Sequence, residues 1–136
     1  MRVFLDTNVI VGAVATRGLC ADVLRDVLAH HDLIVSEDLF GEVGRVLRGK
    51  LGVPAETVSE IIALLREAGS VSMPSRTIDL AISGPGDRAL VSAALGGKAD
   101  LFVTGDRELL GLTKREKMDV VSPRMFWERI RARSTG

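Results

Sequence analysis

Four acidic residues in this sequence are spaced so that they could do chemistry together. Asp6 directly follows a short apolar run, Val3-Phe4-Leu5, and Asp106 follows a second, Leu101-Phe102-Val103-Thr104, after one glycine. Asp87 comes after Gly84-Pro85-Gly86, with Leu90, Val91 and Ala94 at i+3, i+4 and i+7, so a helix there would turn Asp87 toward its apolar face. Glu42 lies about 40° around a helix from Val46, at the border of the stripe Leu39, Val43, Val46 and Leu47. If these four side chains converge, each pair at ~4 Å repels by roughly 4 kcal/mol at an effective dielectric of 20. A fold tolerates that when the groups protonate or when a cation neutralises them. Carboxylate oxygens without Cys or His ligands select a hard cation, Mg²⁺ or Mn²⁺.

Each acid also has an ordinary reading. Asp6 and Asp87 could be helix N-caps, worth about 1 kcal/mol each. Glu42 could be a helix-rim charge, and Asp106 could shape a Thr-Gly-Asp turn. The joint placement of the four favours a site, provided the fold brings them to one edge.

The elements that must position them are legible. Five short apolar runs predict strands at Arg2–Leu5, Leu33–Val35, Ser70–Met73, Leu101–Thr104 and Asp119–Val121; their uninterrupted character fits strands covered on both faces. Between them the helical period predicts helices at Thr7–Thr16, Leu19–His30, Asp38–Lys50, Pro54–Ala68, Asp87–Gly97 and Ser122–Arg133. Pro54 suits a first helical turn and Gly69 a helix end. The stretch 74–86, with its prolines, serines and glycines, reads as a loop. Strands alternating with helices predict a parallel sheet of about five strands with right-handed crossovers, hence one three-layer α/β/α domain. In such folds sites form beyond the carboxyl ends of the strands. Asp6 and Asp106 both follow strands. Asp32 and Asp100 precede theirs, and a strand's rise puts Asp100 some ~20 Å from Asp106, so both fall outside the site.

Composition sets the remaining bounds. A chain of 136 residues with 46% hydrophobic content makes one domain with a real core. The apolar runs are too short to span a bilayer, and Asp6 interrupts the start before any secretion signal could form. The single cysteine, Cys20, makes no internal disulfide and no metal framework, so a cytoplasmic setting is the simplest expectation. Eighteen basic residues balance 18 acidic ones. The basic surplus common in nucleic-acid binders is missing, although a rim of basic residues around an acidic centre also sums to zero. His30 and His31 end a helix at the wrong sheet edge for this site. Cys20, Met73, Met118 and Met125 read as packing atoms, and Trp127 beside Phe126 as an anchor for the last helix.

Taken in order, Val3-Phe4-Leu5-Asp6-Thr7-Asn8, Ser36-Glu37-Asp38-Leu39-Phe40-Gly41-Glu42-Val43, Asp87 with its Ala-rich helix, Gly97-Lys98-Ala99-Asp100-Leu101-Phe102-Val103-Thr104-Gly105-Asp106 and Val121-Ser122-Pro123-Arg124-Met125-Phe126-Trp127 carry a likeness over essentially the whole length. The chain resembles the PIN-domain nucleases, particularly the single-domain VapC-like toxins of bacterial and archaeal toxin–antitoxin pairs. The resemblance implies a metal-dependent ribonuclease in which Asp6, Glu42, Asp87 and Asp106 take the acidic, metal-holding positions and Asn8 and Thr104 are polar helpers. It also implies an RNA substrate, a cognate antitoxin and a homodimer, the last two on the helices Asp38–Lys50 and Pro54–Ala68. One departure stands out: relatives often carry further acids just before the Asp87 position, where this chain has Gly84-Pro85-Gly86. A catalytically weak or silent module of the same fold, acting by RNA or protein binding, is therefore the alternative. Basic residues near the proposed rim are Arg17, Arg88 and Arg107, which could meet phosphate but each singly reads as a solvated charge; Arg124, Arg129, Arg131 and Arg133 on the last helix could touch RNA or a partner or keep that end soluble. A phosphoacceptor domain would need an acidic pair after the first strand, and an Asp-x-Asp phosphatase a second acid at position 8; Asp6-Thr7-Asn8 supplies neither.

Overall fold

The structure, a computed structural model, describes residues 1–74, 84–112 and 118–135, with side chains through residue 132. In chain order the elements are β1 (Arg2–Leu5), α1 (Thr7–Ala15), α2 (Leu19–His30), β2 (Asp32–Val35), α3 (Glu37–Gly49), α4 (Ala55–Ala68), β3 (Ser70–Val71), α5 (Pro85–Gly96), β4 (Leu101–Val103), α6 (Arg107–Leu110), β5 (Asp119–Val121) and α7 (Pro123–Thr135). The five strands form one sheet in the order β3-β2-β1-β4-β5, and every pairing is parallel. Helices cover both faces, giving the expected α/β/α layers. Consecutive strand residues are therefore all buried: Val3, Phe4 and Leu5 of β1, Leu33, Ile34 and Val35 of β2, and Leu101, Phe102 and Val103 of β4. Phe4 and Phe102, paired across the β1–β4 register, stack with ring centroids 5.3 Å apart.

This strand order has a switch point. From β1 the chain moves outward to β2 and β3, then returns across β1 to place β4 and β5 on its other side. The crevice at the carboxyl ends of β1 and β4 is where the helices on the two sides part, and it is the ordinary ligand position in such sheets. Leu5 pairs with Val103, and the Asp6 amide donates to the Val103 carbonyl at 2.9 Å, so Asp6 and Thr104 leave the sheet side by side.

Helix starts follow local chemistry. Ser36 caps α3 by accepting from the Leu39 amide at 3.2 Å. Pro85 sits in the first turn of α5, where its missing N–H costs nothing. That moves the helix start two residues ahead of the predicted one, so Asp87 is a first-turn residue rather than the one that opens the helix. The α3 helix ends into Gly52, whose φ of 65° is a left-handed conformation that a side chain resists. Packing is tightest at Gly97: a Cβ there would stand 2.6 Å from Ile34 Cγ2 and 2.9 Å from Ser72 Cβ. The far end of the chain is pinned by Phe126, fully buried edge-on to the His31 ring, with Trp127 partly buried against the core.

Some expectations need correction. Strand β3 is two exposed residues, not four, because it lies at the sheet edge with little to cover it. Met73 is 77% exposed and Met125 45% exposed, so neither packs the core; Met118 does. Helix α6 was not anticipated, since four residues are too few to show a period. The predicted loop falls largely on residues 75–83, outside the described residues. Among the described residues, no single helix is long and apolar enough to cross a membrane.

Candidate functional site

Asp6 is the centre of the arrangement. It is 3% exposed, and three donors converge on its carboxylate. The Thr7 amide donates to Oδ1 at 2.8 Å; the Thr104 hydroxyl and the Asn8 amide donate to Oδ2 at 2.6 and 3.1 Å. As the N-cap of α1, Asp6 does fulfil its ordinary reading. Capping, however, uses only one oxygen and does not require burial beneath Thr104.

Thr104 ties the two strand ends together. Its side chain is fully buried, donates to Asp6, and accepts from the Asp106 amide at 3.0 Å. Asn8 completes the link by accepting from the Gly105 amide at 3.0 Å through Oδ1. The turn 104–106 is thus bonded to the start of α1 at two points. Asp106 caps α6 by accepting from the Glu108 amide at 2.8 Å.

Glu42 and Asp87 approach from the helices. The Thr7 hydroxyl donates to Glu42 Oε2 at 3.3 Å, which brings a side chain of α3 to the first turn of α1. Thr7 was not anticipated; its signal was a hydroxyl directly beside the strand-end aspartate. A Cβ at Gly86 would lie 3.3 Å from Glu42 Oε1, and one at Gly84 would lie 3.1 Å from Asp87 Oδ2. Gly84 and Gly86 are therefore the positions against which the Asp87 and Glu42 carboxylates rest. Larger side chains there would have to push those carboxylates aside.

Asp6, Glu42 and Asp87 line one pocket of about 410 Å³, together with Thr7, Asn8, Val11, Gly12, Val46 and Lys50. Asp106 does not line it, but its charge reaches both Asp6 and Asp87. Burial pushes the Asp6 carboxyl above its ordinary range; the Thr104 and Thr7 hydrogen bonds work against this, while the charges of Glu42 and Asp106 add to it. Asp87 is raised first by burial and then by Asp6, Asp106 and Glu108. Among the described residues, none of the four acids makes an ion pair. Nor, among those residues, do three His, Cys, Asp or Glu side chains stand close enough to enclose an ion.

The donor set nonetheless fits a hard divalent cation. It is all oxygen, it is electrostatically unsatisfied, and it is open. Mg²⁺ retains several waters and takes one or two carboxylates rather than a full protein cage. His30 and His31 lie away from the pocket. His31 Nε2 pairs with Asp26 at 3.1 Å, and Asp100 accepts from the Arg2 amide at 2.8 Å, both at the opposite edge of the sheet as expected.

The fold and its acidic strand ends define an α/β/α domain built around a switch-point carboxylate site. Residues 2–108 match the PIN domain family, and the chain belongs to that family. Its fold is similar to that of a chain in the crystal structure of VapBC2 from Rickettsia felis bound to a DNA fragment from their promoter. That likeness has a TM-score of 0.62 and 13% sequence identity, covering 90% of this chain and 98% of the other. No curated protein sequence matches the chain.

Proposed function

We propose that the protein is a divalent-metal-dependent ribonuclease that hydrolyses RNA phosphodiester bonds, with Asp6, Glu42, Asp87 and Asp106 as its metal-holding and catalytic residues. One observation supports the reading: acids from four separate stretches arrive around the switch point of a PIN domain, find hydroxyl and amide donors there, and among the described residues make no ion pair. A bound Mg²⁺ or Mn²⁺ would supply Lewis acidity toward the phosphate and lower the pKa of water beside it.

The chain's own residues do the rest. Asp6, the most buried acid, gives a fixed anchor because Thr104 and Asn8 hold one of its oxygens while Thr7 holds the other. Asp87 faces it from α5, and Glu42, steadied by Thr7, faces it from α3. Asp106 adds negative potential from the β4 side. Asn8 and Thr104 orient the Asp6 carboxylate through hydrogen bonds.

The family and the VapC-like resemblance further support a role as the toxin of a toxin–antitoxin pair, acting in the cytoplasm with a cognate antitoxin. They support a homodimer as well. The α3–α4 face, where a groove of about 710 Å³ is lined by Phe40, Val58 and Ile62, is the surface to probe for either contact. Because Gly84 and Gly86 stand where relatives often carry acids, a weak or silent module is the second reading. Incubating purified protein with labelled single-stranded RNA in Mn²⁺ or in excess EDTA separates the two. Cleavage only with Mn²⁺ supports the nuclease. Binding without cleavage supports the silent module, and cleavage undiminished by EDTA removes the metal mechanism.

A further inference from the structure

Helix α3 lies between two concavities near the site. Glu42, Val46 and Lys50, spaced four residues apart, line the carboxylate pocket. Gly41, Arg45 and Arg48 line the separate groove toward α4. Within the first, the lining passes from acids at one end, over Val11, Gly12 and Val46, to Lys50 at the other. Lys50 is the one cation that lines this pocket among the described residues. It is exposed, and its ammonium has no hydrogen-bond or ion-pair partner among them.

Position decides what Lys50 can do. Eight residues of helix put it about 12 Å along α3 from Glu42. The Debye length is roughly 8 Å at physiological ionic strength. Lys50 accordingly does not contribute to the shifts of Asp6 and Asp87. A polyanion threaded along the trough would instead place one charge at the acids and another at Lys50. At about 3.4 Å per nucleotide for a stacked strand, 12 Å corresponds to about four nucleotides. The floor between them is small and apolar, without a carboxylate to repel the intervening phosphates.

We infer that Lys50 is a substrate-positioning residue that contacts an RNA backbone phosphate within about four nucleotides of the scissile bond, the strand lying in the trough between α1 and α3. This inference rests on the ribonuclease reading above. The ordinary role of a lysine at a helix C-terminus is to offset the helix dipole; Lys50 is the C-cap of α3 and can do both.

The test is a comparison of Lys50→Ala, Lys50→Arg and Arg48→Ala in the full chain, with a fluorescein-labelled 20-nucleotide single-stranded RNA of mixed sequence. Binding is followed against salt in Ca²⁺, and cleavage in Mn²⁺. The inference expects Lys50→Ala to raise KM about threefold to tenfold with kcat changed less than twofold, and to reduce the salt slope by about 0.7, as for one lost phosphate contact on a single strand. Lys50→Arg should restore both. Arg48→Ala, facing the other groove, should move neither. A purely structural Lys50 would lower the melting temperature and leave KM and salt slope unchanged, which would overturn the inference while leaving a cutting parent enzyme intact. Equal effects from Arg48→Ala would overturn it too, since only the general field of α3 would then matter. A parent protein that neither binds nor cuts the RNA would overturn both this inference and the ribonuclease reading.

Discussion

The two edges of the sheet treat acidic residues in opposite ways. At the amino edge, acids are met by a ring, a backbone amide or a guanidinium: Asp26 by His31, Asp100 by the Arg2 amide, Asp119 by Arg129; Glu37, exposed at the start of α3, is met by Arg66. In the pocket at the carboxyl edge, the hydrogen-bond partners of Asp6 and Glu42 among the described residues are hydroxyls and amides, and none of Asp6, Glu42 and Asp87 is in an ion pair there. Folding alone gives no reason to gather like charges around a buried aspartate, since each burial raises the energy of the ionised form. The difference is what the proposed function requires: a divalent cation held at the carboxyl edge would neutralise the charges the polypeptide leaves there.

Changes at the carboxyl edge should therefore strike activity, and changes elsewhere stability. The largest effect is expected from Asp6→Asn, which should abolish RNA cleavage while leaving the far-ultraviolet circular dichroism and melting transition of a folded protein. Next, Thr104→Val removes the hydroxyl that joins Asp6 to the Asp106 amide. It should cost about 10- to 100-fold in cleavage rate, the range for groups that orient metal ligands, measured under saturating Mn²⁺. At Gly97 the order reverses: Gly97→Ala forces a Cβ against Ile34 and Ser72. It should cost about 1–3 kcal/mol of stability in denaturant titration, with cleavage per folded molecule unchanged.

A pH series sharpens the same contrast. Asp6 has its pKa raised in the fold above the ordinary 3.8. Its contribution to stability is thus full below about 3.8 and is lost as pH rises through the raised value. In EDTA, the stability of the parent minus that of Asp6→Asn should fall between acid and neutral pH. Added Mn²⁺ should reverse the trend by neutralising the ionised group. Glu37 has the opposite sign: Arg66 holds it below the ordinary 4.5, so its contribution is present above that value and is lost only as pH falls further. Because that pair is fully exposed, Glu37→Gln should produce the smallest effect of the set, with no resolvable change in melting temperature at neutral pH.

Most of the architecture was legible because it depends on local pattern. Apolar runs of three residues marked β1, β2 and β4, and the step from strand to helix located Asp6 and Asp106 at one edge. What escaped was set by contacts the pattern does not encode. Helix α6 is too short to be periodic, β3 is shortened by its exposed edge position, and Met73 is outside the core for the same reason. The site shows the same division. Asp6 and Asp106 were fixed by strand ends, and the inward tilt of Glu42 and Asp87 by helical angle. Thr7 as the hydroxyl that reaches Glu42, and the rest of Asp87 and Glu42 against Gly84 and Gly86, depend on how α1, α3 and α5 meet, which no single stretch of sequence specifies.

The most direct test is a crystal of the protein soaked in Mn²⁺ and read by anomalous scattering. The account predicts a peak in the pocket beside β1, in contact with the carboxylates of Asp6 and Asp87. A saturating soak that leaves that position without a peak, while the carboxylates keep the arrangement described, would contradict it.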